Sequence, residues 1–186
     1  MEQPLRNEVD LVECARQHDE VAFGELVDFY TTPVYRVVCR MVNDSMEAES
    51  IVQETFWRFW QALPRYDAGR PLLPYLAAIA SNLARDRYRR QRWVEEAAPD
   101  SLLARVPDPH PEPEDGLVRK GTLQRLADAV ETLPFPYRSV ISLRYEAEMS
   151  YQEIAEALSL PLNTVRTHLR RAKQALRERL EETNDG

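Results

Sequence analysis

An all-α chain of two small helical domains is what this sequence predicts, on three observations. Only 5 glycines occur in 186 residues and no extended β-branched alternation is present, whereas the strong helix formers Ala, Leu, Glu and Arg are abundant. Apolar residues recur at helical spacing through most of the chain. Between residues 94 and 116 that pattern stops: five prolines and seven acids face one arginine, a net of −6, a composition that resists packing and stays extended. The predicted organisation is a first domain over 1–95, a flexible acidic linker over 96–116, and a second domain over 117–182. Each half is long enough for a modest core.

In chain order, a first helix is expected over Asn7–Asp19 with Val9, Leu11, Val12 and Ala15 inward. A second covers Glu20–Tyr30 and carries Val21, Ala22, Phe23, Leu26, Val27 and Phe29. Thr31-Thr32-Pro33 then reads as a cap and first-position proline, restarting the chain as Val34–Val42. Asn43-Asp44-Ser45 is a turn and N-cap cluster before a helix over Met46–Leu63, which Pro64 stops. Ile51, Val52, Thr55, Phe56, Phe59 and Leu63 form its inner face. Its outer face holds Glu47, Glu49, Gln53, Glu54 and Trp57. A self-contained bundle has no need of that surface, and isolated exposed tryptophans are uncommon. The plain alternative is a solvated acidic face.

Arg65–Pro74 reads as a loop stiffened by one glycine and two prolines. The helix Tyr75–Trp93 follows, burying Leu76, Ile79, Ala80 and Leu83 and turning Asn82, Arg85, Asp86, Arg89, Arg90 and Arg92 elsewhere. Tyr66, Tyr75, Tyr88 and Trp93 interleave with these arginines. Such a surface suits single-stranded DNA, whose unstacked bases rest on aromatic faces while cations hold the phosphates. A solvated arginine face is the plain alternative.

Beyond the linker, a helix over Leu117–Thr132 turns Leu123, Leu126, Ala127 and Val130 inward, and Leu133-Pro134-Phe135-Pro136 makes a rigid turn. Tyr137–Ala147 packs Val140, Ile141, Leu143 and Tyr145 beneath the last two helices. Ser150 and Glu153 form a capping box, opening a short helix that Ser159-Leu160-Pro161 ends. Pro161 is a good first residue for the next helix, because its missing N–H would have no partner there. Val165, Leu169, Ala172, Leu176 and Leu180 make one apolar stripe along it, opposite Arg166, Thr167, Arg170, Lys173, Gln174 and Arg177. A short helix, a tight turn and a second helix with a cationic face is the helix-turn-helix pattern, whose second helix enters the DNA major groove. A helical hairpin with a solvated basic face is the alternative.

The segment L-P-F-P-Y-R-S-V-I-S-L-R-Y-E-A-E-M-S-Y-Q-E-I-A-E-A-L-S-L-P-L-N-T-V-R-T-H-L-R-R-A-K resembles the promoter-reading C-terminal domain of bacterial RNA polymerase sigma factors. E-A-E-S-I-V-Q-E-T-F-W-R-F-W-Q-A-L-P-R-Y-D and Y-L-A-A-I-A-S-N-L-A-R-D-R-Y-R-R resemble the other half of that family, in the same order and spacing. The match is best to the small, two-domain extracytoplasmic-function (ECF) group. The resemblance implies a protein that binds core RNA polymerase and directs promoter-specific initiation, with duplex minus-35 DNA and single-stranded minus-10 DNA as its ligands. It implies an anti-sigma partner and no cofactor. Glu49, Ile51, Val52, Gln53, Glu54 and Trp57 would bind core polymerase, where the family docks on the coiled coil of the largest subunit. Ser50 stands where the family usually has aspartate. Tyr66, Arg70, Tyr75, Asn82, Arg85, Asp86 and Arg89 would take the minus-10 element, with Tyr75 where tryptophan is frequent. Arg166, Thr167, Arg170 and Arg171 would read minus-35 bases, and Asn163, Thr164 and Lys173 would hold phosphates. The family's linker threads the polymerase RNA path; here a plain tether fits equally well.

Composition bounds the alternatives. Net charge is −7, yet residues 65–93 carry seven arginines against two aspartates, and residues 161–179 carry five arginines and a lysine against one glutamate. Each stretch is +5, so whole-chain charge is a poor guide to nucleic-acid binding. Two scattered cysteines argue against a disulfide framework and for a reducing cytosol. Cys14 and His18 stand one turn apart, but a closed zinc site needs about four ligands, so Cys14 reads as structural and no metal is expected. No run approaches the roughly 20 apolar residues of a membrane span, and a cytoplasmic location is expected. No glycine-rich phosphate loop, H-E-x-x-H or G-x-S-x-G occurs, so the chain is not expected to be an enzyme. The remaining rival is a helix-turn-helix regulator that reads duplex DNA and never joins polymerase.

Overall fold

A computed structural model describes residues 8–42, 44–97 and 125–182, and every regular element among them is helical. The first group comprises α1 (Glu8–Arg16), α2 (Glu20–Cys39), α3 (Ser45–Ala62), a 3-10 turn (Leu63–Arg65) and α4 (Leu72–Ala97). The second comprises α5, described over 125–131, α6 (Phe135–Tyr145), α7 (Tyr151–Leu158) and α8 (Leu162–Glu182). Most of the predicted linker, and the first part of the predicted helix over 117–132, lie outside the described residues.

Local chemistry accounts for the helix starts. Asp19 accepts hydrogen bonds from the N–H groups of Val21 (3.0 Å) and Ala22 (3.2 Å), and Asp44 accepts one from Glu47 N–H (3.1 Å). Each aspartate satisfies donors that the first turn of its helix leaves unpaired. His18, at φ 66°, makes the reversal between α1 and α2.

The predicted break at Pro33 does not occur: α2 runs unbroken from Glu20 to Cys39. A proline inside a helix costs about 3 kcal/mol. Leu26, Tyr30, Val34 and Val37 lie on the helix on both sides of Pro33 and are all buried, and each such side chain contributes roughly 1.5–3 kcal/mol. Burial therefore outweighs the proline. Helix α4 starts at Leu72, ahead of the expected Tyr75, because Pro74 falls in the first turn, where no N–H is required. Val9, Leu126 and Tyr145, expected inward, are exposed.

Core residues of the first group include Val12, Leu26, Ile51, Phe59, Leu72 and Leu76; those of the second include Leu143, Ile154, Val165 and Leu169. The two groups pack together. Tyr88 of α4 stacks on Phe135 of α6 with ring centroids 4.5 Å apart and planes 9° from parallel. The Ser142 hydroxyl donates to the Val37 carbonyl at 2.7 Å, and Arg85 Nη1 donates to the Leu158 carbonyl at 2.6 Å.

Candidate nucleic-acid interface

Helices α7 and α8 form the C-terminal surface. Ser150 and Glu153 make the predicted capping box: Ser150 Oγ accepts from Glu153 N–H at 3.2 Å, while the Glu153 carboxylate accepts from Ser150 N–H at 2.7 Å. Those bonds hold the carboxyl below its usual range. Ser159 ends α7 in the left-handed region at φ 52°, and Leu160 N–H returns to the Ala155 carbonyl at 2.9 Å. Pro161, expected as the first residue of α8, stands just ahead of it and its carbonyl accepts from Thr164 N–H at 2.9 Å; Val165, Leu169, Ala172 and Leu176 of α8 are buried. Asn163, Arg166, Arg170, Arg171 and Lys173 are exposed, and Thr164 and Thr167 are half-buried. These side chains occupy a run of eleven residues, about three turns of helix.

Lys173 is tethered within the fold, its Nζ lying 5.6 Å over the Tyr145 ring, and the hydrogen bond to Tyr145 raises its pKa. His168, on the same helix, turns inward against Tyr137, with ring centroids 5.4 Å apart. Burial and the neighbouring Arg171 depress its pKa, so the neutral imidazole is favoured there.

The N-terminal surface is less uniform than expected. Arg70, Asp86 and Arg89 are exposed. Tyr66 is not: it is 5% exposed, its ring lies 4.7 Å from that of Tyr75 and 5.5 Å from that of Phe59, and its hydroxyl donates to the Arg70 carbonyl at 2.5 Å. Its hydroxyl is pushed above the usual phenol range, chiefly by burial. The expectation that Tyr66 stacks on a base is corrected, because its ring already belongs to the core. Tyr75 is half-buried and, with Arg70, Met149, Glu153 and Glu156, lines a cavity of about 110 Å³. Asn82 accepts from Arg85 Nη2 at 2.7 Å, and the same guanidinium is hydrogen-bonded to Leu158 at the end of α7.

A similar division runs through α3. Ile51 and Val52, which the resemblance placed among the polymerase-binding residues, are 0% and 5% exposed and belong to the core. Their inner-face periodicity is the governing signal. Glu49 and Gln53 are exposed, Trp57 is 60% exposed, and the half-buried Glu54 pairs with Arg58 at 3.0 Å. Met46 joins this face at 77% exposure, eleven residues before Trp57 and so three turns away on the same side. Helical spacing alone would have found it. Ser50 accepts from Arg87 Nη2 at 3.0 Å, joining α3 to α4.

Cys14, expected to be structural, is exposed. Among the described residues, no group of three or more His, Cys, Asp or Glu could hold a metal ion, and no helix is long and apolar enough to cross a membrane.

Two family models match the chain, one in each helical group. Residues 26–94 match the family model "Sigma-70 region 2", and residues 123–176 match "Sigma-70, region 4". The chain is 32% identical over 176 residues to the ECF RNA polymerase sigma factor SigW of Bacillus subtilis (strain 168), covering 91% of this chain and 94% of that one. Among solved structures it is similar to CnrH in complex with the cytosolic domain of CnrY, at 25% identity and a TM-score of 0.66 over 94% of this chain and 97% of that one. The sigma factor RpoE of Bartonella quintana, solved with the anti-sigma factor NepR, shares the fold at 22% identity and a TM-score of 0.67, over 86% and 96% of the two chains.

Proposed function

The chain belongs to the RNA polymerase sigma factors of the extracytoplasmic-function group and acts in promoter-specific transcription initiation, and from that premise we propose how its surfaces divide the work. Residues 1–95 bind core polymerase and open the minus-10 element, 96–116 connect, and 117–182 read the minus-35 element. The observation that carries this reading is α8, with an apolar stripe buried and, within its first twelve residues, five exposed side chains, four of them cationic. A helix N-terminus presents free N–H groups to phosphate, which suits Asn163 and Thr164 to backbone contacts, and the Lys173 ammonium is assigned a phosphate further along α8. The planar forks of Arg166, Arg170 and Arg171 suit guanine O6 and N7, and Thr167 offers a hydroxyl and a methyl.

On the N-terminal half, Glu49, Gln53, Glu54 and Trp57 form an acidic rim around an aromatic anchor, the composition of a protein interface. Arg70, Tyr75, Asn82, Arg85, Asp86 and Arg89 are assigned to the minus-10 strand. Tyr75 shares a cavity with Glu153, Glu156 and Ala157 of α7, and Arg85 is hydrogen-bonded to Leu158, so α7 has to leave α4 before these two meet DNA. CnrH is in complex with the cytosolic domain of CnrY, and RpoE with the anti-sigma factor NepR, and we assign this chain an anti-sigma partner. We assign it no covalent chemistry of its own, and a cytoplasmic place of work beside polymerase. The match of residues 26–94 to sigma region 2 disfavours a regulator that never joins polymerase.

Arg170→Ala tests the minus-35 assignment. It is expected to cost about 1–3 kcal/mol and to relax preference at one base position, whereas Lys173→Ala lowers the salt slope of binding by about one and weakens all sequences alike. Affinity measured across a promoter library at several salt concentrations separates the two. Uniform loss at every promoter after Arg170→Ala contradicts the assignment.

A further inference from the structure

Helix α1 lies outside the segment that matches sigma region 2, yet it grips both ends of the loop between the 3-10 turn and α4. At the near end, Arg16 donates from Nε to the Leu63 carbonyl at 3.2 Å and from Nη2 to the Tyr66 carbonyl. Its guanidinium is itself fixed by Glu13, 2.6 Å away. At the far end, Glu8 Oε1 accepts from the N–H of Leu72, the first residue of α4, at 3.3 Å. The other Glu8 oxygen accepts from the buried Tyr30 hydroxyl.

The chemistry is complementary at each end. Carbonyls left open where a helix stops favour a cation, and free N–H groups where a helix starts favour an anion. Glu8 caps α4 from 64 residues away. Between the two grips, the Tyr66 hydroxyl donates to the Arg70 carbonyl, and Asp67 Oδ1 accepts from Gly69 N–H at 3.0 Å. The loop is thus fixed at its start, middle and end before any ligand arrives.

We infer that Glu8 and Arg16 are positioning residues for capture of the melted strand: their clasp on Leu63, Tyr66 and Leu72 presets the loop that presents Arg70 and Tyr75. This rests on the minus-10 reading of Arg70 and Tyr75. A preset loop spends no binding energy on its own ordering, so loosening it weakens strand capture while other contacts persist. Arg16→Lys keeps the charge but loses the fork that spans two carbonyls.

The test uses full-length chain assembled with core polymerase and a fluorescent single-stranded minus-10 oligonucleotide, compared with the same oligonucleotide carrying an abasic site at each position in turn. Glu8→Gln, Arg16→Lys and Tyr75→Ala are measured together, with core-polymerase affinity and minus-35 duplex affinity as parallel readouts. The clasp variants are expected to weaken the intact oligonucleotide about tenfold and to flatten its advantage over the abasic series, with core and minus-35 affinities held within about twofold. If Tyr75→Ala weakens capture and the clasp variants do not, the clasp is overturned and the minus-10 reading stands. If Tyr75→Ala has no effect, that reading itself fails. A parallel fall in core affinity, or loss of helicity in both clasp variants, would assign Glu8 and Arg16 to folding alone and overturn the proposal.

Discussion

Trp57→Ala is expected to weaken binding to core polymerase by about 2 kcal/mol or more, roughly thirtyfold in Kd, without moving the unfolding midpoint. Trp57 is 60% exposed on α3, between turns that present Gln53 and the Glu54–Arg58 pair. A large aromatic at the centre of a polar rim is the kind of side chain that dominates an interface. The fold places little weight on it, and substitutions at exposed positions usually shift stability by no more than about 0.5 kcal/mol. Titrating labelled chain with core enzyme, beside urea unfolding of the free chain, reads both quantities. Full affinity in the variant would remove Trp57 from the interface.

Phe59→Ala, two residues along the same helix, is expected to do the opposite. Phe59 is fully buried, with the rings of Tyr66 at 5.5 Å and of Phe23 and Tyr75 each at 6.1 Å. Emptying such a site costs about 3–5 kcal/mol, out of the 5–15 kcal/mol that holds a typical domain together. Urea denaturation followed by circular dichroism should show the unfolding free energy fall by that amount, and minus-10 binding should fall with it because Tyr66 and Tyr75 lose their support. A loss under about 1 kcal/mol would contradict the packing described for this cluster.

The contrast between Trp57 and Phe59 shows what the sequence could reveal. Helical periodicity separates the two faces of α3, so Phe59 inside and Trp57 outside were both legible. The capping box at Ser150 and Glu153 and the apolar stripe of α8 were legible for the same reason: their partners lie three or four residues away. Family resemblance placed Ile51 and Val52 at the polymerase surface, and the period of the same helix places them in the core. The burial of Tyr66 was not legible because aromatics among arginines suit strand binding as well as burial, and the rings that cover it, Phe59 and Tyr75, sit on the helices to either side of its loop, beyond the period of any one helix. Pro33 was read as a break because its local cost was visible and the packing that offsets it was not. The grips of Glu8 and Arg16 span 47 to 64 residues and left no local signature.

Run-off transcription with purified core enzyme on a library of promoters tests the central claim most directly, with the chain free of any inhibitor. Transcripts should depend on adding the chain, start at one fixed position, and require two separated DNA elements, the upstream one altered by Arg170→Ala. Duplex binding by the chain with no chain-dependent transcript from any template would contradict the account.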